Sequence, residues 1–192
     1  MTGSPLLNAF HQSNAALLTY TVGGDPNKET SLEIFREIAQ SGADIIECGL
    51  GHGANIGDGG AIQDGTYRAL SNGIKTDDVF DIIKTLRDEF DTNVIIMTYQ
   101  NKIMSYGEDS FLSKCVESKV AGIICVDWPW PLNLNFAAKC KNNNIDFIQL
   151  LCPTTNEERL KLILNDAHDV VYYISMLSTT GQKLKVSPSE IK

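Results

Sequence analysis

The 192-residue sequence predicts an α/β fold with a parallel sheet, and more specifically an eight-unit β/α barrel of which about six units are present. Short apolar runs rich in β-branched residues recur along the chain, and helical patterns separate them. Most runs lack apolar and polar alternation, as expected of parallel strands buried on both faces. The runs cover residues 17–22, 45–50, 94–97, 123–126, 147–152 and 170–176.

The segments between these runs carry helix signals. Apolar residues at positions 79, 82, 83, 86 and 90 form one stripe at helical spacing. Asp25 before Pro26 predicts a capped helix start with proline at the first helical position, and Thr155 with Glu158 fits a capping box. The longest gap, between the second and third runs, holds two helical patterns, around residues 61–70 and 76–90.

Two architectures fit this alternation, a doubly wound sheet and a barrel. The turn after the first run, Gly23-Gly-Asp-Pro26, does not match the G-x-G-x-x-G turn of a dinucleotide-binding sheet. A P-loop and a G-x-S-x-G elbow are also absent from the sequence. The barrel is therefore favoured.

The end of the sequence bears on completeness. Ser187-Pro-Ser-Glu190 has the features of a helix start, yet the sequence stops two residues later. A full barrel typically needs about 250 residues. We therefore expect residues 1–192 to form a single, partial TIM-barrel domain, truncated after about six βα units.

Composition excludes several classes of function. The net charge of −8 argues against a nucleic-acid or anionic-membrane partner. The start lacks the pattern of a secretory signal, and no segment approaches a membrane span, so we expect a cytoplasmic protein. The five cysteines and three histidines are not at metal-ligand spacing, and we expect no metal site. Cys48, Cys125 and Cys152 lie in apolar runs and are expected in the core.

Glu47 is the polar exception within the apolar run at 45–50. Strand side chains alternate faces, so Glu47 shares a face with Ile45 and Gly49, whereas the apolar residues at 46, 48 and 50 share the other. The wholly apolar face should pack on helices, which directs Glu47 into the barrel near the carboxyl end of its strand. Apolar surroundings would raise its pKa and suit it to proton transfer. The alternative, a structural ion pair, has no basic strand residue as an obvious partner.

Asp58 follows in a loop with five glycines between Gly49 and Gly59, which lets the backbone approach a ligand or move as a lid. Taken alone, an aspartate between glycines is more often a turn residue. His52 in the same loop is an acid–base candidate, but an exposed loop histidine is the favoured interpretation.

Seven segments, in order, resemble those of tryptophan synthase alpha subunits. They are LTYTVGGDP (18–26), GADIIECG (42–49), DGGAIQ (58–63), MTYQN (97–101), DWP (127–129), CPTT (152–155) and YISMLSTTG (173–181). The resemblance runs from about residue 15 to the end. It implies a (β/α)8 TIM barrel that cleaves indole-3-glycerol phosphate to indole and glyceraldehyde 3-phosphate, without a cofactor in this subunit.

The resemblance also implies roles for individual residues. Glu47 would shuttle the protons, and Asp58 would stabilise positive charge on the indole nitrogen. Tyr20 and Tyr99 would line the substrate pocket, although core aromatics with a polar tip fit the sequence equally well. Thr180 would belong to a loop that closes on Asp58, and Gly181 would donate its N–H to the substrate phosphate; a plain turn is the alternative.

A beta subunit is the implied protein partner, in a heterotetramer. Residues 51–55, Gly-His-Gly-Ala-Asn, depart from the family's usual Pro-Phe-Ser-Asp-Pro-like stretch in a loop that contacts that subunit. Two alternatives therefore stay open. The chain could be a catalytically impaired subunit that still binds and stimulates a beta subunit, or another phosphate-binding barrel enzyme.

Overall fold

A computed structural model describes residues 4–10 and 15–175. Its strands are β1 (Leu18–Val22), β2 (Ile45–Gly49), β3 (Asn93–Thr98), β4 (Gly122–Cys125), β5 (Asp146–Phe147), β6 (Gln149–Leu151) and β7 (Val171–Tyr173). Its helices are α1 (Leu7–Phe10), α2 (Lys28–Gln40), α3 (Gly60–Ser71), α4 (Thr76–Glu89), α5 (Gln100–Tyr106), α6 (Glu108–Glu117), α7 (Leu134–Asn142) and α8 (Glu157–Asp166). No helix in this described part is both long and apolar enough to cross a membrane.

All strand pairs are parallel, and the strands follow one another in chain order. β1 to β5 form one sheet in the order 1-2-3-4-5, and β6 pairs with β7. This sequential order is that of a β/α barrel, because a doubly wound sheet reverses its order at a switch point. The predicted barrel architecture is confirmed.

The predicted strand at 147–152 is two short strands separated by Ile148. β5 pairs with β4 on one side, whereas β6 pairs with β7 on the other. The Ile148 N–H still donates to the Ile123 carbonyl at 2.9 Å. Residues 146–151 therefore join the two sheets into one curved wall.

The sheet separates two apolar cores. The outer core lies between strands and helices and contains Ile46, Cys48 and the predicted α4 stripe, of which Ile83 and Leu86 are fully buried. The inner core contains strand residues of the opposite face, including Ile45. The strand face with three apolar residues does pack on the helices, as expected from the sequence.

The N-terminal segment contributes to the inner core at the amino ends of the strands. Leu6 is fully buried and lies so close to Gly122 that a Cβ there would be 3.0 Å from the Leu6 Cδ1 atom. The Ser4 hydroxyl donates to the buried Asp146 carboxylate, and the Ser4 N–H donates to Asp169 Oδ2 at 2.9 Å. The sequence alone indicates no role for this segment.

The two predicted capping residues are wrong by one or two positions. α2 begins after Asn27, whose side chain accepts from the Thr30 N–H at 2.9 Å. Asp25 instead binds Arg68 of α3 through contacts of 2.7 and 2.9 Å. α8 is capped by the Asn156 side chain in place of the predicted Thr155.

The cysteines of the apolar runs differ in burial. Cys48 and Cys125 are buried, as predicted. Cys152 is only partly buried, so its predicted place in the core is wrong. Hydrogen bonds with the hydroxyls of Thr154 and Thr155 lower the pKa of this thiol.

Candidate active site

Glu47 lies in the middle of β2 and faces the barrel interior. Its register partners are Tyr20 on β1 and Ile95 on β3, and Ile95 belongs to the inner core. The side chain is buried, with a residue exposure of 5%. The strand alternation in the sequence was therefore sufficient to predict the direction of this carboxylate.

Tyr20 packs its ring over the bare backbone of Gly49. A Cβ atom built on Gly49 would lie 2.2 Å from the Tyr20 hydroxyl oxygen and 2.8 Å from Cζ. Glycine permits this close approach, because a side chain here would displace the ring. Burial, followed by the negative charge of Asp58, raises the pKa of Tyr20 well above its ordinary value. The structure thus brings Tyr20 beside both predicted carboxylates.

Asp58 lies in the loop between β2 and α3 and is buried, with an exposure of 4%. Its backbone is held at two points: its N–H donates to the Asn55 carbonyl at 3.2 Å, and its carbonyl accepts from Gln63 Nε2 at 2.9 Å. The preceding residue, Gly57, donates its N–H to the Tyr99 hydroxyl at 3.1 Å. The loop therefore turns back over the carboxyl end of β3, where Tyr99 follows the strand.

Asp58 Oδ1 and Asn55 Nδ2 are buried polar atoms without a hydrogen-bond partner among the described residues. Buried polar atoms are nearly always paired, so an unpaired acceptor in a candidate site calls for a ligand donor or water. Asn55 was not singled out from the sequence, because an asparagine among glycines is an ordinary turn residue.

The electrostatics of the two carboxylates follow from their burial. Burial, and then the charge of Asp58, raises the pKa of Glu47 to about 7. Burial also raises the pKa of Asp58, whereas the nearby Asn55 amide and Tyr99 hydroxyl oppose that rise. Burial raises the pKa of Tyr99 as well. Glu47 is thus a carboxyl group that can hold or release a proton near neutral pH.

His52 is not the exposed loop residue that the sequence suggested. It is half-buried, and its ring stacks on Tyr99 with centroids 5.3 Å apart and an interplanar angle of 27°. Its Nδ1 accepts the Ala54 N–H at 3.1 Å.

Tyr172 of β7 is a further residue near Glu47, and the sequence alone does not indicate it. Burial, and then the charge of Glu47, raises the pKa of Tyr172. Strand alternation places Tyr172 and its two neighbours on opposite faces of β7. It does not show which face points into the barrel, because no charged residue marks that face as Glu47 does in β2. Thr180 and Gly181, predicted as substrate-binding residues, lie outside the described residues.

The arrangement suits proton transfer next to an anion. One end of the barrel carries a carboxyl group with a pKa near neutrality, a second buried carboxylate and two tyrosines, Tyr20 and Tyr99. Among the described residues, no group of three or more His, Cys, Asp or Glu side chains could hold a metal ion. The fold and these side chains therefore define a β/α-barrel protein with a candidate acid–base site on its inner face, toward the carboxyl ends of its strands.

Comparison with known proteins places this barrel in a family. Residues 6–191 match the sequence model of the family described as tryptophan synthase alpha chain. The chain belongs to this family of lyases, and its function is that of the alpha subunit in tryptophan biosynthesis.

Individual relatives show the extent of the likeness. The chain is 53% identical over 181 residues to the tryptophan synthase alpha chain of Pelagibacter ubique (strain HTCC1062), covering 94% of this chain and 68% of the relative. It is 36% identical over 175 residues to the alpha chain of Petrotoga mobilis (strain DSM 10674 / SJ95), covering 91% and 68%. A chain of the tryptophan synthase a2b2 complex from Pyrococcus furiosus matches with a TM-score of 0.81 at 32% identity, covering 98% of this chain and 72% of that one.

Proposed function

We propose that this chain catalyses the cleavage of indole-3-glycerol phosphate to indole and glyceraldehyde 3-phosphate, with Glu47 as the acid–base group. The observation that carries the proposal is the burial of Glu47 on the inner face of β2, with its pKa raised to about 7. A group with this pKa has both its protonated and its ionised form available at neutral pH, as an acid–base catalyst requires.

The proton balance assigns two steps to this one carboxyl group. Protonated Glu47 donates to C3 of the indole, which leaves a positive charge on the ring nitrogen. The Glu47 carboxylate then accepts the proton of the hydroxyl on the adjacent glycerol carbon. The bond from that carbon to C3 breaks, its electron pair returns to the indole ring, and the carbon becomes the aldehyde.

Asp58 has the complementary role in this proposal. Its buried Oδ1, which is unpaired among the described residues, can accept a hydrogen bond from the indole N–H. A fixed anion there stabilises the ring charge that develops after protonation. Tyr20 and Tyr99 would enclose the ring, and Thr180 and Gly181 stay proposed contributors to loop closure and phosphate binding.

The experiment is an assay of indole release by the purified protein, comparing the wild type with Glu47→Gln. We expect turnover to fall by at least ~10², as is typical when an acid–base group is lost. Glu33→Gln is the matched control, because Glu33 is exposed on α2 and should leave turnover unchanged. Near-normal turnover of Glu47→Gln would refute the proposed role.

The partner of the proposed enzyme is a beta subunit. Support comes from the Pyrococcus furiosus match, because that chain belongs to an a2b2 complex. Co-purification with a beta subunit, and indole release with and without it, tests this proposal. A wild type that stimulates a beta subunit but never cleaves the substrate would instead support the catalytically impaired alternative. The expected cytoplasmic location is likewise a proposal, supported by the biosynthetic role of the family.

A further inference from the structure

The loop that carries Asp58 has little side-chain mass to hold it in place. Between Gly51 and Asp58 it contains two further glycines and one alanine, and its aliphatic residue Ile56 is 82% exposed. A glycine-rich segment loses more backbone entropy on ordering than other sequences do. The position of Asp58 therefore depends on the few contacts that the loop makes with the barrel.

His52 provides one of these contacts through its ring. The imidazole lies nearly parallel to the Tyr99 ring, 5.3 Å from it. The Ala54 N–H donates to His52 Nδ1 at 3.1 Å, so this nitrogen acts as an acceptor and fixes the orientation of the ring relative to the loop. The mechanism above uses neither interaction.

Tyr99 connects His52 with the loop segment next to Asp58. Its hydroxyl accepts the Gly57 N–H at 3.1 Å, one residue before the carboxylate. The approach is close, because a Cβ atom on Gly57 would lie 3.3 Å from that hydroxyl oxygen. Tyr99 is itself buried, with 4% exposure, and lies at the start of α5. It is therefore a rigid support for both ends of the loop.

We propose that His52 is a positioning residue for the cleavage reaction, which holds the Tyr99 ring and, through the Tyr99 hydroxyl and Gly57, keeps Asp58 in place over the substrate. The inference rests on the proposed function. Misplacing a charge by about 1 Å can reduce the rate by up to about 10² without abolishing binding, because alignment matters most in the transition state. Loss of the ring should consequently lower kcat more than it changes KM.

The test uses three variants that separate the ring from its nitrogen. His52→Phe keeps the ring, His52→Asn keeps a nearby acceptor without the ring, and His52→Ala has neither. We expect kcat within about threefold of the wild type for Phe, and a loss of about tenfold or more for Ala and Asn with KM changed less than threefold. Ile56→Ala is the control from the same loop, since this exposed side chain should leave kcat unchanged.

A second readout is independent of turnover. The Gly57 amide should be protected from hydrogen exchange in the wild type and in His52→Phe, and should lose protection in His52→Ala. If the wild type releases no indole, the proposed function fails. Hydrogen exchange at the Gly57 amide would still show whether His52 holds the loop in place. The inference is overturned if kcat and Gly57 protection survive in His52→Ala. The inference is also overturned if kcat falls as much in His52→Phe as in His52→Ala, since the ring nitrogen would then be the important group.

Discussion

Ionising a carboxyl group that is enclosed by β-strands costs free energy. At Glu47 this cost raises the pKa to about 7, which the proposed acid–base role requires. The side chain shares the barrel interior with the hydroxyls of Tyr20 and Tyr172 and with the second carboxylate, Asp58. An ion pair would have kept its pKa low and made it a poor proton donor at neutral pH. Because burial is the first cause of the raised pKa, the same residue should also affect folding.

The stability of the protein should therefore depend on pH through Glu47. Its pKa is about 7 in the folded protein against an ordinary value of 4.5. Below pH 4.5 the group is protonated in both states. Between these two values the unfolded chain releases the proton and the folded protein keeps it, so stability falls as pH rises, and the full penalty is present above about pH 7. At 1.36 kcal/mol per pKa unit, this penalty is about 3 kcal/mol.

Glu47→Gln removes this penalty, because the amide is neutral throughout. In urea unfolding at pH 5 and pH 8, the free energy of unfolding of the variant should increase relative to the wild type as pH rises, by up to about 3 kcal/mol. Glu33→Gln, on the exposed face of α2, is the matched control and should show no comparable gain in stability. A Glu47→Gln gap of equal size at both pH values would mean that the folded protein ionises this group normally.

At the scale of residues, the sequence predicted what strand alternation or family resemblance could identify. Glu47 was found because one polar residue interrupts an apolar strand, and Asp58 because of the resemblance. His52 was misassigned as exposed, because its burial depends on Tyr99, 47 positions further along the chain. Tyr172 was missed because its proximity to Glu47 is set by barrel curvature, which no local pattern encodes.

At the scale of elements, contacts between residues distant in sequence determine where helices and strands begin and end. Asp25 was a reasonable helix cap, but Arg68 of α3 binds its carboxylate, and Asn27 caps α2 instead. The break between β5 and β6 is similar, because each half of the run pairs with a different neighbour. Both features depend on residues at least 22 positions away in the chain.

A buried amide pair stabilises the wall beside this break. Asn133 and Gln149 exchange two hydrogen bonds of 3.0 Å, and Asn133 also donates to the Trp128 carbonyl at 2.8 Å. The exposures are 1% for Asn133 and 3% for Gln149, so neither amide can turn to water. The pair therefore links the loop after β4 to β6.

Gln149→Leu should destabilise the protein by about 1–3 kcal/mol, because it leaves the Asn133 amide buried and partly unsatisfied. The measurement is the urea midpoint together with the slope of the transition. Thr98→Val is the matched control: the Thr98 hydroxyl is buried without a partner among the described residues, so its removal should cost little. An unchanged midpoint in Gln149→Leu would show that the amide pair adds nothing to the wall.

For the whole molecule, the arrangement of strands has a consequence for association. Within residues 4–10 and 15–175, β1 pairs only with β2, and β7 pairs only with β6. Between these strands lies a cavity of about 260 Å³, with a mainly apolar lining that includes Phe10, Leu18, Ile45 and Tyr172. The chain spans 68% of the length of its Pelagibacter relative. The predicted strand order of a barrel was correct. The oligomeric state of the 192-residue chain depends on what covers the outer edges of β1 and β7.

We expect the 192-residue chain to self-associate through these edges. An unpaired strand edge is a template for another chain, and residues 170–174, Val-Val-Tyr-Tyr-Ile, form a strongly β-prone window. Size-exclusion chromatography with light scattering should give a mass above 21.1 kDa that rises with concentration. Leu17→Lys places a charge beside β1, at a side chain that is 53% exposed, and should reduce association. Leu162→Lys, at a site on α8 that is 54% exposed, is the matched control and should not. A compact monomer that melts cooperatively would instead mean that another part of the chain covers both edges.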